Sequence, residues 1–466
     1  MKKLLLILIA LPMIGFGQQT YVPDDNFEQY LINQGYDNVL DDSVLTANIN
    51  GVTNLDVSYN NIFDLTGIED FSALTYLWCF NNNLTTIDLS DNTALTDLRC
   101  QINQLTSLDL SNNTSLTYLH CGDELGGNQL TNLDVSQNIA LVDLHCGFNQ
   151  LTSLDVSNNT SLTGLHCGGN QITSLDVSNN ASLTGLSCYN NQLTNLDVSQ
   201  NIALVNLMCF SNQLTNLDVN NNINLVGLRC HNNQLTSLYL NNNTAVSGLM
   251  CGDNQLTNLD LSNNTALIFL YCESNQITSL DVSNHIMLTE LKAFNNQFTS
   301  IDVSGATSLV WFSCANNQLT SLDVSQNSYL ENFECSFNQI TSLDVSNNPA
   351  LKNLYCDENQ FTSLDLRNGN NTNIIDFFAS YNPNLNCINV DNVAWSTSNW
   401  TVMNYQIDSQ HYFSTNCAPS NIEEQTTTKE LLKVTDLLGR KIKDSKNTPL
   451  FYIYDDRTVE RRIIIE

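Results

Sequence analysis

Residues 151–172 read LTSLDVSNNTSLTGLHCGGNQI, and the same arrangement recurs along most of the chain every 21 residues. A cysteine keeps the beat at Cys79, Cys100 and Cys121. The row continues through Cys146, Cys167, Cys188, Cys209, Cys230, Cys251 and Cys272, passes Ala293, and resumes at Cys314, Cys335 and Cys356. One step is irregular: Cys121 to Cys146 holds four extra residues around Glu124 to Gly127. A fixed period of this length marks stacked units, none of which can bury its apolar side alone.

The unit has two similar halves. Leu151, Leu154, Val156 and Asn159 are answered by Leu162, Leu165, Cys167, Asn170 and Ile172. Leu165 and Cys167 alternate with His166, so the first two face inward and the third outward. The repeated Asn, at 170, 191, 212, 233, 254 and 275, is placed to bond the backbone of neighbouring coils with its amide.

This pattern resembles the leucine-rich repeat, in the nested 21-residue form found in bacteria, over about residues 52 to 385. The resemblance implies an α/β-class solenoid, mostly parallel β with little helix. About fifteen coils spaced roughly 4.8 Å apart would make a rod or shallow arc with capped ends.

The ends depart from the period. Residues 1–17 carry Lys2 and Lys3, the apolar run Leu4 to Leu11, and Gly15-Phe16-Gly17, which reads as a secretory signal peptide. Residues 18–51 lack the repeat. Phe27, Tyr30 and Leu31 have helical spacing after Pro23-Asp24-Asp25, an acidic helix start. This segment is read as an N-terminal cap that covers the open edge of the first coil. It resembles internalin-type caps, and Val52 to Ala73 resembles an internalin first repeat. The solenoid then runs over 52–386. Residues 387–422, with Trp395, Trp400, Tyr405, Tyr412 and Phe413, read as a C-terminal cap and linker.

Residues 423–466 hold nine of the sixteen Lys and Arg and nine acids. Without them and the leader, the solenoid carries a net charge near -33. Leu432 to Arg440 (with Asp436-Leu437-Leu438-Gly439-Arg440), Phe451-Tyr452-Ile453-Tyr454 and Arg461 to Glu466 resemble the C-terminal sorting domain of the bacterial type IX secretion system. That resemblance implies export to the outer surface of a Gram-negative cell.

The ladder cysteines occupy an inward position, and Ala293 substitutes among them, which suits small buried apolar groups. Neighbouring Cβ atoms point the same way, which strains a bridge. Thirteen free thiols are expected. Cys387 and Cys417 flank the C-terminal cap outside the ladder and are read as a disulfide closing a loop of about 30 residues, worth roughly 3 kcal/mol.

Two outward rows follow. The first is nearly constant: Asp56, Asp88, Asp109, Asp134, Asp155, Asp176, Asp197, Asp218, Asp260, Asp281, Asp302, Asp323, Asp344 and Asp365, with Tyr239 as the interruption. Carboxylates stacked at ~4.8 Å repel, so raised folded pKa values are expected, with cation screening or weak divalent cation association along the row. Thr106, Thr131, Thr152, Thr173 and Thr194 form a companion row, an arrangement also known from ice-binding solenoids.

The second row varies. Between Leu and Cys stand Trp78, Arg99, His120, His145, His166, Ser187, Met208, Arg229, Met250, Tyr271, Lys292, Ser313, Glu334 and Tyr355. Two places on stand Phe80, Tyr189, Phe210, His231 and Phe294. A constant framework with one variable strip is the form of a recognition surface, and aromatic and Arg side chains favour contact hot spots. The ligand-binding face is assigned to Trp78, Phe80, Arg99, His120, His145, His166, Tyr189, Phe210, Arg229, Tyr271, Phe294 and Tyr355. His120, His145 and His166 offer ligands suited to zinc or copper, but three His arise readily on a variable strip, and no metal site or cofactor is assigned.

The chain has no G-x-S-x-G, H-E-x-x-H or phosphate loop, so no catalytic residue and no enzyme activity are assigned. The acidic charge argues against nucleic acid as a partner. The expected partner is a protein or glycan on another cell or surface, bound by adhesion through the variable strip. The alternatives are a glycan-binding module and a structural or ice-facing surface protein.

Overall fold

The computed structural model describes residues 17–417, 431–435, 440–442, 449–454 and 459–463. The leader up to residue 16, the linker from 418 to 430, the Asp436 to Gly439 part of the D-x-x-G-R turn and the final Ile464-Ile465-Glu466 lie outside the described residues. The chain forms two units, Met1–Thr415 and Asn416–Glu466.

The first unit is a parallel-β solenoid. Its main sheet has sixteen strands, from Asn54–Asp56 to Asp376–Phe378, stacked in chain order. Most strands are three residues long, one from each coil. The repeat sets the register: Leu144 pairs with Leu165 and Leu165 with Leu186, while His145, His166 and Ser187 lie side by side. The Cys167 N–H then donates to the Ser187 carbonyl at 2.8 Å, extending the ladder past the strand. The central Leu and the following Cys are fully buried throughout the array, and thirteen ladder cysteines are buried free thiols. Burial pushes the Cys79, Cys121, Cys167 and Cys230 thiols up to about 12, so they pack as neutral small hydrophobes. Cys387 and Cys417 are disulfide-bonded.

Coils with so little regular structure leave many inward carbonyls without a strand partner, and side chains supply the donors. The Asn170 amide nitrogen donates to the carbonyls of Cys146 and Cys167, both at 3.0 Å, and its oxygen accepts from Leu151 N–H at 3.0 Å. The same set recurs at Asn191, Asn233, Asn254 and Asn338. A second ladder serves the other half of the unit. Asn180 donates to the carbonyls of Val156 and Asn159 at 3.0 and 2.9 Å. Asn201, Asn222 and Asn243 repeat this, but the amide oxygens of this row have no hydrogen-bond partner. A buried carbonyl deprived of its donor costs about 1–3 kcal/mol, so the fully bonded first ladder is the more expensive one to break. His285 and Ala306 stand in the second row. There Gly305 lets the chain close up: a Cβ at this position would lie 1.7 Å from the Ser283 carbonyl oxygen.

The Asp row marks a turn in each coil. Asp155, Asp176 and Asp197 each accept a hydrogen bond from the backbone N–H two residues on, at 2.9 Å. From Asp56 to Asp365 the same bond spans 2.8 to 3.1 Å. This overturns the expected raised pKa. Bonds from the backbone and hydroxyl of Ser90 hold Asp88 below the usual carboxylate value, and the Ser136 pair does the same for Asp134. Repulsion from the neighbouring Asp109 acts in the opposite direction and is outweighed. Asp56 needs a second correction. It pairs with Trp78 in the main sheet and so heads the variable strip, one half-repeat away from the Asp row.

At the N-terminal end, helix Asp25–Gln34 starts on Asp24, whose carboxylate accepts from Asn26 and Phe27 N–H. The same carboxylate accepts from Phe63 and Asp64 N–H at 2.7 and 3.1 Å, joining the helix to the first coil. Glu28, fully buried, accepts three backbone N–H bonds from Asp41, Asp42 and Ser43. At the other end, Trp400 is buried against Phe377, Trp395 and Phe413, with ring centroids 4.4, 5.3 and 5.7 Å away. The second unit contains a three-stranded antiparallel sheet of Leu431–Thr435, Pro449–Tyr454 and Val459–Ile463.

Two outcomes follow. Thiol titration of the denatured, unreduced protein should find thirteen free groups; pairing of most of them would contradict the buried ladder. Acidification should destabilise the solenoid. Asp88, Asp134, Asp155 and Asp176 have folded pKa values below their ordinary 3.8. Their contribution is therefore complete above the unfolded value and is lost as pH falls through the folded one. The melting temperature should hold down to about pH 5 and fall below about pH 4. A rise in melting temperature on going from pH 6 to pH 4 would show that repulsion dominates.

Candidate ligand-binding face

In each strand the central residue, a Leu or else Phe312, Phe333 or Phe377, points inward, so the residue after it points outward and meets its counterpart in the next coil. Trp78 pairs with Arg99 and Arg99 with His120; His120, His145 and His166 follow in register. Farther on, Met208, Arg229, Met250 and Tyr271 continue the line, through Lys292 and Glu334 to Tyr355. Phe80, Tyr189, Phe210 and Phe294 stand one alternation beyond, each partly exposed. All twelve assigned residues thus fall on the outward positions of one sheet and its immediate continuation.

The same alternation exposes a third row that the sequence reading passed over: the residue before the central Leu. It contains Tyr76, Asp97, Tyr118, Asp143, Phe269, Glu290 and Trp311. The signal was present, since neighbours on both sides of an inward residue must face outward. This row completes the polar contacts of the strip. Asp97 accepts two Arg99 bonds at 3.0 Å and one from the Trp78 indole at 3.2 Å. The Arg99 guanidinium lies 4.4 Å from the Trp78 ring centroid and 4.7 Å from that of Tyr118. Lys292 lies 4.0 Å from the Tyr271 ring and 5.3 Å from the Trp311 ring. Tyr271 donates its hydroxyl to Glu290. Burial and that bond push the Tyr271 phenol up to about 12, which keeps it a donor.

Between these two cation–aromatic clusters the third row holds Gly164, Gly185, Gly227 and Gly248. A cavity of about 200 Å³ opens there, lined by Met208, Arg229 and Phe269 among others. Beside it Tyr189, Phe210 and His231 stack in parallel, with centroids 4.5 and 4.4 Å apart.

The three His form a separate cluster. The His120 and His145 ring centroids are 4.7 Å apart, and those of His145 and His166 are 4.2 Å apart at an interplanar angle of 10°. Asp143, from the third row, places Oδ1 3.2 Å from His145 Nε2 and 3.9 Å from His166 Nε2. Asp123, from the four-residue insertion, lies 2.8 Å from His120 Nε2. Burial holds His120 and His166 below the usual imidazole value, so both are neutral near pH 7. Burial also acts to raise Asp143, but the close imidazoles of His145, His166 and His120 outweigh it and hold the group below the usual carboxylate value.

No protein-family model and no curated protein matches the sequence. Among solved structures the chain is similar to the functional domain of InlJ from Listeria monocytogenes, described as including a cysteine ladder. The two are 37% identical with a TM-score of 0.75, over 80% of this chain and 82% of that one. The internalin InlF of Listeria monocytogenes is 24% identical with a TM-score of 0.61, over 67% of this chain and 95% of that one. The leucine-rich-repeat protein LIC12759 of Leptospira interrogans is 24% identical with a TM-score of 0.57, covering 68% and 92%. InlJ shares the fold and a cysteine ladder with this chain, at an identity and coverage that show common descent, and the chain belongs to its family, the internalin-like leucine-rich-repeat proteins.

Proposed function

We propose that this chain is a secreted protein, displayed on the outer surface of a Gram-negative cell, that binds a protein partner through the strip from Trp78 to Tyr355. The observation that supports this is the composition of one face. Aromatic and cationic side chains, in registered pairs, occupy strongly varying outward positions of an otherwise constant array. Trp, Tyr and Arg give large contact area at low entropic cost. Arg99 and Lys292 are two of the few cations on an acidic solenoid, and each is held over aromatic rings. The stacking favours a protein over a glycan. Tyr189, Phe210 and His231 cover one another's faces, which leaves mainly edges for a sugar ring.

Binding to surface extracts of neighbouring or host cells, measured with purified full-length protein, tests the strip. W78A/R99A and Y271A/K292A should each weaken binding at least tenfold, the scale of one hot-spot residue. T152A/T173A on the opposite half of the coil should leave it unchanged. Equal loss in all three, or loss only in the last, would move the binding face elsewhere.

Residues 423–466 are proposed as the export signal. Their charge balance differs from that of the solenoid, and they lie in the second unit. Deleting them should leave the melting temperature of the remainder unchanged and retain the protein in the periplasm. Continued surface display, or an unfolded remainder, would refute the assignment.

A further inference from the structure

The 21-residue period breaks once within the cysteine array, between Cys121 and Cys146, and the break lies against the His cluster. The extra residues form a short excursion closed by pairing of Asp123 with Gly126. Its return leg is packed so closely that a Cβ on Gly127 would lie 1.8 Å from the Phe148 carbonyl oxygen. Gly147 and Gly168 leave the neighbouring positions bare. The result is a cavity of about 290 Å³ lined by His120, Asp123, Glu124, His145, His166 and Tyr189 among others. Ordinary coils of the array carry no such wall.

His145 and His166 line this cavity, and Asp143 meets them from the neighbouring row; the ligand atoms of the three all lie within 4.8 Å of one another. Tetrahedral zinc, with bonds of about 2.0–2.1 Å to nitrogen and oxygen, sets its ligands roughly 3.3 Å apart. The 3.2 and 3.9 Å separations between Asp143 Oδ1 and the two Nε2 atoms bracket that value. Asp143 Oδ1 and His120 Nε2 are buried atoms without hydrogen-bond geometry to any partner. The His145 and His166 rings are nearly parallel, so their lone pairs must tilt toward a shared point. Rotation about the last side-chain torsion, which is broad for His, provides this.

We propose that Asp143, His145 and His166 bind a divalent transition-metal ion of the zinc type, with its fourth position facing the cavity beneath the Asp123–Gly127 excursion. Two imidazoles and one carboxylate match the donor preference of zinc and leave an open position. The large negative charge of the chain concentrates cations at its surface.

The test is a zinc titration of chelator-treated, reduced full-length protein by calorimetry, with a competing chromophoric chelator for tight binding. One equivalent should bind with micromolar or tighter affinity, and zinc should raise the melting temperature. H145Q, H166Q and D143N should each weaken binding at least tenfold while leaving the metal-free melting temperature unchanged. H231Q, on the strip but outside the cluster, should bind as the wild type does. Should a variant prove unstable, cobalt substitution in the wild type decides: an intense visible spectrum of tetrahedral cobalt supports the site, and a weak octahedral one overturns it. Binding no tighter than millimolar, binding unchanged in H145Q and H166Q, or equal affinity for calcium would also overturn it. The last result would assign the effect to the carboxylates of the Asp row.

Discussion

Everything in this solenoid depends on supplying hydrogen-bond donors to carbonyls in a dry interior. A three-residue strand satisfies only a few backbone groups of each 21-residue coil. The rest point into a space filled by Leu, Val and Cys, where an unpaired carbonyl is costly. The Asn amide solves this with one side chain per half-coil. Asn170 bridges the carbonyls of Cys146 and Cys167, and so ties its own turn to the preceding coil. The thiol fits beside it as a small apolar group, and Ala293 shows that the position does not ask for sulfur chemistry.

A framework secured from within frees its outside. Since neither the Leu–Cys rows nor the Asn rows need help from outward residues, the positions beside them vary without cost to the fold. Trp78, His145, Met208 and Glu334 occupy equivalent places. Strand stacking then joins residues about 21 apart in sequence into continuous patches. The cation–aromatic clusters at Arg99 and Lys292, the glycine-lined middle and the His–Asp cavity are all products of that stacking. The insertion at Glu124 shows the same tolerance: the coil accepts an excursion because the Asn128 amide still reaches the Cys100 and Cys121 carbonyls.

The Asp row shows how a local bond outweighs a longer-range one. Its carboxylates line up as the repeat requires, but they lie in water, where dielectric and salt weaken repulsion across a coil spacing. The backbone N–H two residues on is in direct contact with the carboxylate, and where that residue is Ser, as at Ser157, its hydroxyl adds a second bond. The near-constancy of the Asp thus reflects a turn requirement, and its lowered pKa is the consequence.

The period, the inward Leu and Cys, the amide ladder and the outward variable row were all legible in the sequence. Each is a short-range pattern repeated many times, and alternation along a strand translates directly into inside and outside. The helix start at Asp24 was legible for the same reason. The sequence alone did not decide what stacking adds. It did not separate Asp56 from the Asp row, because the two halves of the unit look alike and only strand pairing shows which half stands in which sheet. It did not bring Asp143 to His166 or Asp97 to Trp78, since these contacts join neighbouring coils through side chains whose directions depend on what fills the next place. Nor did it show that four added residues would wall a cavity over three imidazoles. That outcome depends on the bare positions at Gly147 and Gly168, and it required the coils to be assembled.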